Sequence, residues 1–163
     1  MGVLKVIVKA EAEKAYLLNC FHYIIQGHTI PGCYGGINVC PERAYQQMLA
    51  VKQYYGKTTG NQLVHFVICL NKRIFDNEEA LRVAYQIAGY YGDRYQIIFG
   101  VHHSDRENSY GQSTSYFHIH MVMNSVSFVD GKMYADNRAD TGKFLEHIKQ
   151  VTRDSHWKIE YGS

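Results

Sequence analysis

Proline is almost missing from this chain, at 2 residues in 163. That scarcity leaves no proline-rich linker, and no internal repeat or low-complexity tract takes the place of one. Long apolar runs are missing as well. No stretch approaches the roughly 20 consecutive apolar residues of a membrane span. The opening MGVLKVIVKAEAEKAY brings acids and lysines too early for a secretory signal. Cysteine is sparse and never falls in a CxxC pair: Cys20, Cys33, Cys40 and Cys69 are scattered, which argues against a disulfide framework. Cys20 and Cys69 sit in apolar runs and read as small core residues. An excess of one charge is missing too. Lys and Arg number 17 against 15 Asp and Glu, for a net charge of +2, too little to argue for a polyanionic partner by itself. These absences point to a soluble, non-secreted protein of a reducing cytoplasm. Its 163 residues suit one domain, 1–163, that buries roughly 70% of its unfolded surface without a staple.

The composition that remains is ordinary for a globular protein, 46% hydrophobic and 20% charged, but tyrosine is abundant at 14. Between Arg43 and Phe75 the chain carries Arg43, Lys52, Lys57, Lys72 and Arg73 and no acid. Such a run reads either as a solvated face or as a basic surface for nucleic acid. Val3 to Val8, rich in β-branched residues, predicts a strand. Tyr16, Cys20, Tyr23 and Ile24 recur at helical spacing and predict a helix over 11–26. A Gly- and Pro-containing stretch, GHTIPGCYGGINVC, follows. A helix is expected over 42–54, with Ala44, Met48 and Val51 on one stripe, and a strand over 63–70. Asn77 is the expected N-cap of a helix over 77–91, with Glu78 and Glu79 in its first turn. Strands are expected at 95–102 and 116–124, with a polar loop from Ser104 to Ser115 between them. A short hairpin around Asp130-Gly131 and a helix over 138–151 complete the pattern. This order predicts an α+β fold, a mostly antiparallel sheet with helices on one face.

The sharpest local signal is Phe117-His118-Ile119-His120-Met121-Val122-Met123-Asn124. Strand alternation puts His118, His120, Val122 and Asn124 on one face and Phe117, Ile119, Met121 and Met123 on the other, apolar face. Two imidazoles at i and i+2 lie about 7 Å apart and can converge on one cation. In the preceding strand Ile97, Phe99 and Val101 form the apolar face, leaving Ile98, Gly100 and His102 opposite. If the two strands pair as a hairpin, matching core to core sets His102 beside His118 and His120. His103 then points to the core or peels into the loop. Gly100 leaves room on the histidine face for a close backbone or a ligand. Three neutral imidazoles form a plausible metal site able to polarise a phosphate. His65 alternates away from Val64, Phe66 and Ile68, and reads as a supporting group, a phosphate contact or a residue with no role in the site. Tyr16 and Tyr23 both fall on the apolar stripe of the first helix, where core packing is the simplest role. A tyrosine is also able to serve as a covalent nucleophile toward a phosphodiester.

Four segments resemble the relaxase/mobilisation nuclease family of conjugative plasmids and integrative elements, within the broader histidine-hydrophobe-histidine endonucleases. They are FHYIIQ, GGINVCPERAYQQMLAVKQYYGKTTGNQLVHFV, AYQIAGYYGDRYQIIFGVH and GVHHSDRENSYGQSTSYFHIHMVMNSVSFVDGKMY, which together cover most of residues 20–134. The resemblance implies an antiparallel sheet with helices packed on it, of the ferredoxin or palm type. It implies Tyr23 as nucleophile, His102, His118 and His120 as the metal triad, and Asn124 as the asparagine that ends the motif. The implied cofactor is a divalent ion, Mg²⁺ or Mn²⁺, although a three-histidine site favours later transition metals by intrinsic affinity. The implied reaction is nicking and rejoining of single-stranded DNA at a transfer origin through a 5′-phosphotyrosyl link. It would take place in the bacterial cytoplasm, with accessory relaxosome proteins and a coupling protein as partners. Lys52, Lys57, Arg43, Lys72 and Arg73 would track phosphates, with Tyr54 and Tyr55 stacking bases. Two features depart from the family pattern. The spacing between the first histidine and His118 is long, which keeps His103, with Asp105, as an alternative ligand. Val39 separates Asn38 from Cys40. Two other functions remain open: a regulatory module that binds origin DNA without cutting it, and a phosphodiesterase that uses water.

Overall fold

The computed structural model describes residues 2–9, 18, 21–24, 29–70, 76–107, 113–135 and 138–162. Six strands are present among them: β1 (Gly2–Lys9), β2 (Thr29–Ile37), β3 (Leu63–Cys69), β4 (Ile97–Glu107), β5 (Ser113–Asn124) and β6 (Trp157–Gly162). Three helices join them, α1 (Ala44–Tyr54), α2 (Asn77–Ala88) and α3 (Arg138–Thr152), together with a helical turn at residues 21–24. The strands form one open sheet in the order β2-β4-β5-β3-β1-β6. Every neighbouring pair is antiparallel except β1 with β6, which run parallel. The expected α+β class with a mostly antiparallel sheet is therefore the class observed.

Alternation along the central strands divides the interior in two. Ile97, Phe99 and Val101 of β4 and Phe117, Ile119, Met121 and Met123 of β5 join Val64, Phe66 and Ile68 of β3 in the larger core. Against it lie α2, through Ala80, Ala84, Ile87 and Ala88, and α3, through Phe144, Leu145 and Ile148. The small residues of α2 let its backbone approach the sheet closely, so that Tyr85 comes down onto Gly35. Asp76 starts α2, its carboxylate accepting from the Glu79 backbone N–H at 2.7 Å. The cap is thus Asp76, one residue before the expected Asn77.

The opposite face is not bare, which corrects the expectation of helices on one side only. Phe21 and Ile24 of the helical turn, Ala44 and Met48 of α1, and Leu63, Ile98 and Val122 of the sheet close a second, smaller core there. Full burial of Ile24 alone stabilises the docking of its turn by roughly 1.5–3 kcal/mol. Other differences have local causes. GHTIPGCYGGINVC contains an edge strand, β2, which tolerates Pro31 because an edge needs only half its backbone groups paired. Cys33, not Cys69, is the fully buried cysteine among the described residues, since Cys69 lies on the half-exposed side of β3. The strands β4 and β5 run to Glu107 and from Ser113, so most of the expected polar loop is strand pairing. Residues 11–17, with Tyr16, lie outside the described residues, as does Cys20.

Candidate active site

The two histidine-bearing strands pair in the register that the alternation requires. His102 sits opposite His118, and Gly100 opposite His120. His103 stands at the register position opposite Phe117. On the other side of β5, β3 brings Val67 opposite His120 and Cys69 opposite His118. His102, His118, His120 and His65 thus share one face, the face covered by the helical turn.

That turn comes down on Gly100. A Cβ at this position would lie 2.0 Å from the carbonyl oxygen of Ile24 and 3.0 Å from Thr29 Oγ1. Only a residue without a side chain lets the two backbones approach so closely. The contact sets Tyr23 over the imidazoles, with ring centroids 5.0 Å from His102 and 5.3 Å from His120, both edge-on. Tyr23 is 41% exposed while Phe21 and Ile24 are buried. Its apolar-stripe reading is therefore corrected: the core takes Phe21 and Ile24, and Tyr23 faces the histidines.

Thr29 Oγ1 lies 3.0 Å from His102 Nε2 and donates to the Ile24 carbonyl. His65 Nε2 lies 3.2 Å from His120 Nδ1. His102 is 4% exposed. Burial, then the imidazoles of His102, His65 and His118 and the ammonium of Lys5, push His120 down to about 3, so its imidazole is neutral at ordinary pH. Neutral nitrogen with an available lone pair is the form that ligates a cation. The donor set therefore fits a divalent ion. The rings of His102 and His120 pack on one another at 4.2 Å and 34°. Among the described residues no three His, Cys, Asp or Glu side chains already stand in metal-binding geometry.

The remaining expected site residues are dispersed. Lys52 is 2% exposed and cannot reach a phosphate. Its Nζ donates to the Gln62 carbonyl at 2.7 Å and to Asn124 Oδ1. It takes the place on the α1 stripe where Val51 was expected, because the buried positions are Ala44, Met48 and Lys52. Asn124, fully buried, donates to Gln96 Oε1 at 3.0 Å and to the Met48 carbonyl at 3.3 Å, and its Oδ1 accepts from Val126 N–H at 3.2 Å. Together Lys52 and Asn124 tie α1 to the end of β5. Arg43 and Lys57 are exposed at opposite ends of α1, about 16 Å apart along an 11-residue helix. The acid-free run is therefore not one stripe. Lys72 and Arg73 lie outside the described residues. Tyr54 is exposed, whereas Tyr55 donates to the Phe128 carbonyl and packs on Gly131.

The buried lysine gives a direct test. Burial pushes Lys52 down to about 7, below the ~10.4 of an unfolded chain. Between those values the unfolded state binds more protons, so folding stability from this group rises with pH. Lys52→Met removes the titrating amine and one of the donors to each of two buried oxygens, which keep Val126 N–H on Asn124 Oδ1 and Ser125 on the Gln62 carbonyl, an expected cost of about 1 kcal/mol. Urea unfolding at pH 7 and pH 9 should show the wild type gaining on Lys52→Met at the higher pH. DNA binding by the folded variant should be unchanged.

Sequence reasoning passed over Thr29. It lies in a stretch with no periodicity, and its only signal is a position one strand away from His102 once β2 is known. Among the described residues no helix is long and apolar enough to cross a membrane. No curated protein and no solved structure matches the chain. A family model does, over residues 19–157: the relaxase nuclease domain of the MobA/VirD2-like type. That span holds the turn bearing Tyr23, both histidine strands and all three helices, and the chain belongs to the MobA/VirD2-like relaxases as their nuclease domain.

Proposed function

We propose that this domain nicks and rejoins single-stranded DNA at a transfer origin, with Tyr23 as the nucleophile. The observation that carries the reading is the tyrosine ring held over His102 and His120 at 5.0 and 5.3 Å, on a half-exposed turn. In the forward step the Tyr23 hydroxyl oxygen bonds to the scissile phosphorus and gives up its proton. The P–O3′ bond breaks, and the departing 3′ oxygen takes up a proton. The product is a 5′-phosphotyrosyl link and a free 3′ hydroxyl. Reversal rejoins the strand, because the phosphodiester energy is kept in the tyrosyl ester. His102, His118 and His120 would hold a divalent cation, Mg²⁺ or Mn²⁺. When bound, it supplies positive charge that offsets the charge gathering on the phosphate. His65 orients His120 through the Nε2 to Nδ1 contact. A tyrosine on a sheet-packed turn needs an unpaired strand to reach in-line geometry, which favours single-stranded or melted substrate. The exposed Arg43, Lys57 and Tyr54 supply phosphate and stacking contacts at either end of α1. Accessory relaxosome proteins, a coupling protein and a bacterial cytoplasmic setting accompany this reading.

The test is an incubation with labelled single-stranded oligonucleotides from the transfer origin of the source element, with Mn²⁺, Mg²⁺ or chelator. An adduct that survives denaturing gel electrophoresis is expected with metal and not with chelator. Peptide mapping should place the nucleotide on Tyr23. Cleavage without an adduct would favour a water-using phosphodiesterase, and binding without cleavage a regulatory module.

A further inference from the structure

Thr29 opens β2 and stands opposite His102 in the strand register. Residues so paired share a face of the sheet, and this face carries the imidazoles. The Thr29 hydroxyl touches two groups at once, the Ile24 carbonyl and His102 Nε2 at 3.0 Å. A hydroxyl has one hydrogen. It goes to the Ile24 carbonyl, which cannot donate in return. The hydroxyl oxygen therefore accepts from His102, and the proton of that imidazole sits on Nε2. The lone pair is left on Nδ1, the nitrogen then able to bind a cation.

From this geometry we infer that Thr29 is a positioning residue. One hydroxyl fixes the tautomer of His102 and pins the backbone of the turn that carries Tyr23. The inference rests on the proposed metal role of His102 and the nucleophilic role of Tyr23. Ile24 follows Tyr23 directly, so the two halves of the reaction, phosphate charge and nucleophile, are registered to each other through a single oxygen. Gly100 makes this possible, since a Cβ there would lie 3.0 Å from the same Oγ1. Groups that orient a metal-binding histidine through its other nitrogen commonly change its metal affinity about 10- to 100-fold.

The experiment compares Thr29→Val, which keeps the shape and removes the hydroxyl, with Thr29→Ser, which keeps the hydroxyl. Three readouts are taken: calorimetric Mn²⁺ affinity without DNA, ¹⁵N shifts of the His102 ring in the metal-free protein, and the rate of adduct formation. Thr29→Val should weaken Mn²⁺ binding about 10- to 100-fold and turn the His102 shifts into those of mixed tautomers. Thr29→Ser should restore both. Wild-type affinity and an unchanged tautomer in Thr29→Val would overturn the inference, as would a Thr29→Ser variant as impaired as Thr29→Val. Should Thr29→Val fail to fold, Thr29→Ala carries the same expectation. A wild type that binds Mn²⁺ and forms no adduct would sink the proposed reaction while the ring shifts still decide the role of Thr29.

Discussion

Tyr23→Phe should retain its fold and its affinity for the origin strand and form no covalent adduct. The phenyl ring keeps the edge contacts that Tyr23 makes with His102 and His120, so the variant should still unfold cooperatively. What goes is the hydroxyl oxygen proposed to form the tyrosyl ester. Loss of an enzymic nucleophile lowers the rate on the order of 10⁴-fold or more, which in a gel assay is disappearance. The comparison separates three chemistries. A variant that still cuts uses water or another tyrosine, and Tyr16 is the next to substitute. One that binds and never cut in the wild-type form is a regulatory module. One that loses both binding and fold shows Tyr23 to be structural.

Gly100→Ala should be the most damaging glycine-to-alanine change among the described residues. The added carbon would sit 2.0 Å from a backbone carbonyl oxygen. That oxygen belongs to a helical turn and cannot rotate aside as a side chain would, so the turn must lift. Overpacking of this kind costs about 1–3 kcal/mol, visible as a lower melting temperature. The effect on chemistry should exceed the effect on stability. Displacing a reacting group by about 1 Å costs on the order of 10²-fold in rate, and Tyr23 rides on the displaced turn. Adduct formation measured at saturating oligonucleotide should fall by at least that factor, and Mn²⁺ binding should weaken too, because the same methyl crowds Thr29 Oγ1. A wild-type rate would mean that the turn is not held by the Gly100 contact.

These two variants also show how far the residues could be read before the structure. The histidine face was legible because strand alternation is strict: once Phe117, Ile119 and Met121 are assigned to the core, His118 and His120 have only one other side to occupy. Pairing apolar face to apolar face then brought His102 opposite His118. Gly100 was legible as a place of close approach, but not what approaches it. That depends on a contact with Ile24, 76 residues away in sequence, and no periodicity reports such a distance. Lys52 was misread because charge is a good guide to exposure only when the side chain has no buried acceptors. Here Asn124 and the Gln62 carbonyl supply them. β2 was missed because glycine and proline obscure an edge strand. The second core was missed in part because the helical stripe of residues 11–26 placed Ile24 inward but took Tyr23 with it and left out Phe21.

The parallel pairing of β6 with β1 has a kinetic consequence. Gly2 pairs with Trp157 and Ile7 with Gly162, joining strands 155 residues apart in sequence. Contacts of such separation form late, because a long loop must close before they give any return. β1 can meet β3 earlier, through Val3 with Cys69 and Lys9 with Leu63, and it then waits with one edge unpaired. During synthesis on the ribosome that edge stays open until β6 has emerged. An open edge strand invites pairing with other chains. The indole of Trp157, which lies against Gly2 where a Cβ would come within 2.6 Å of it, is thus part of the last closure, and truncations that remove it should give a nuclease domain prone to aggregate as it is made.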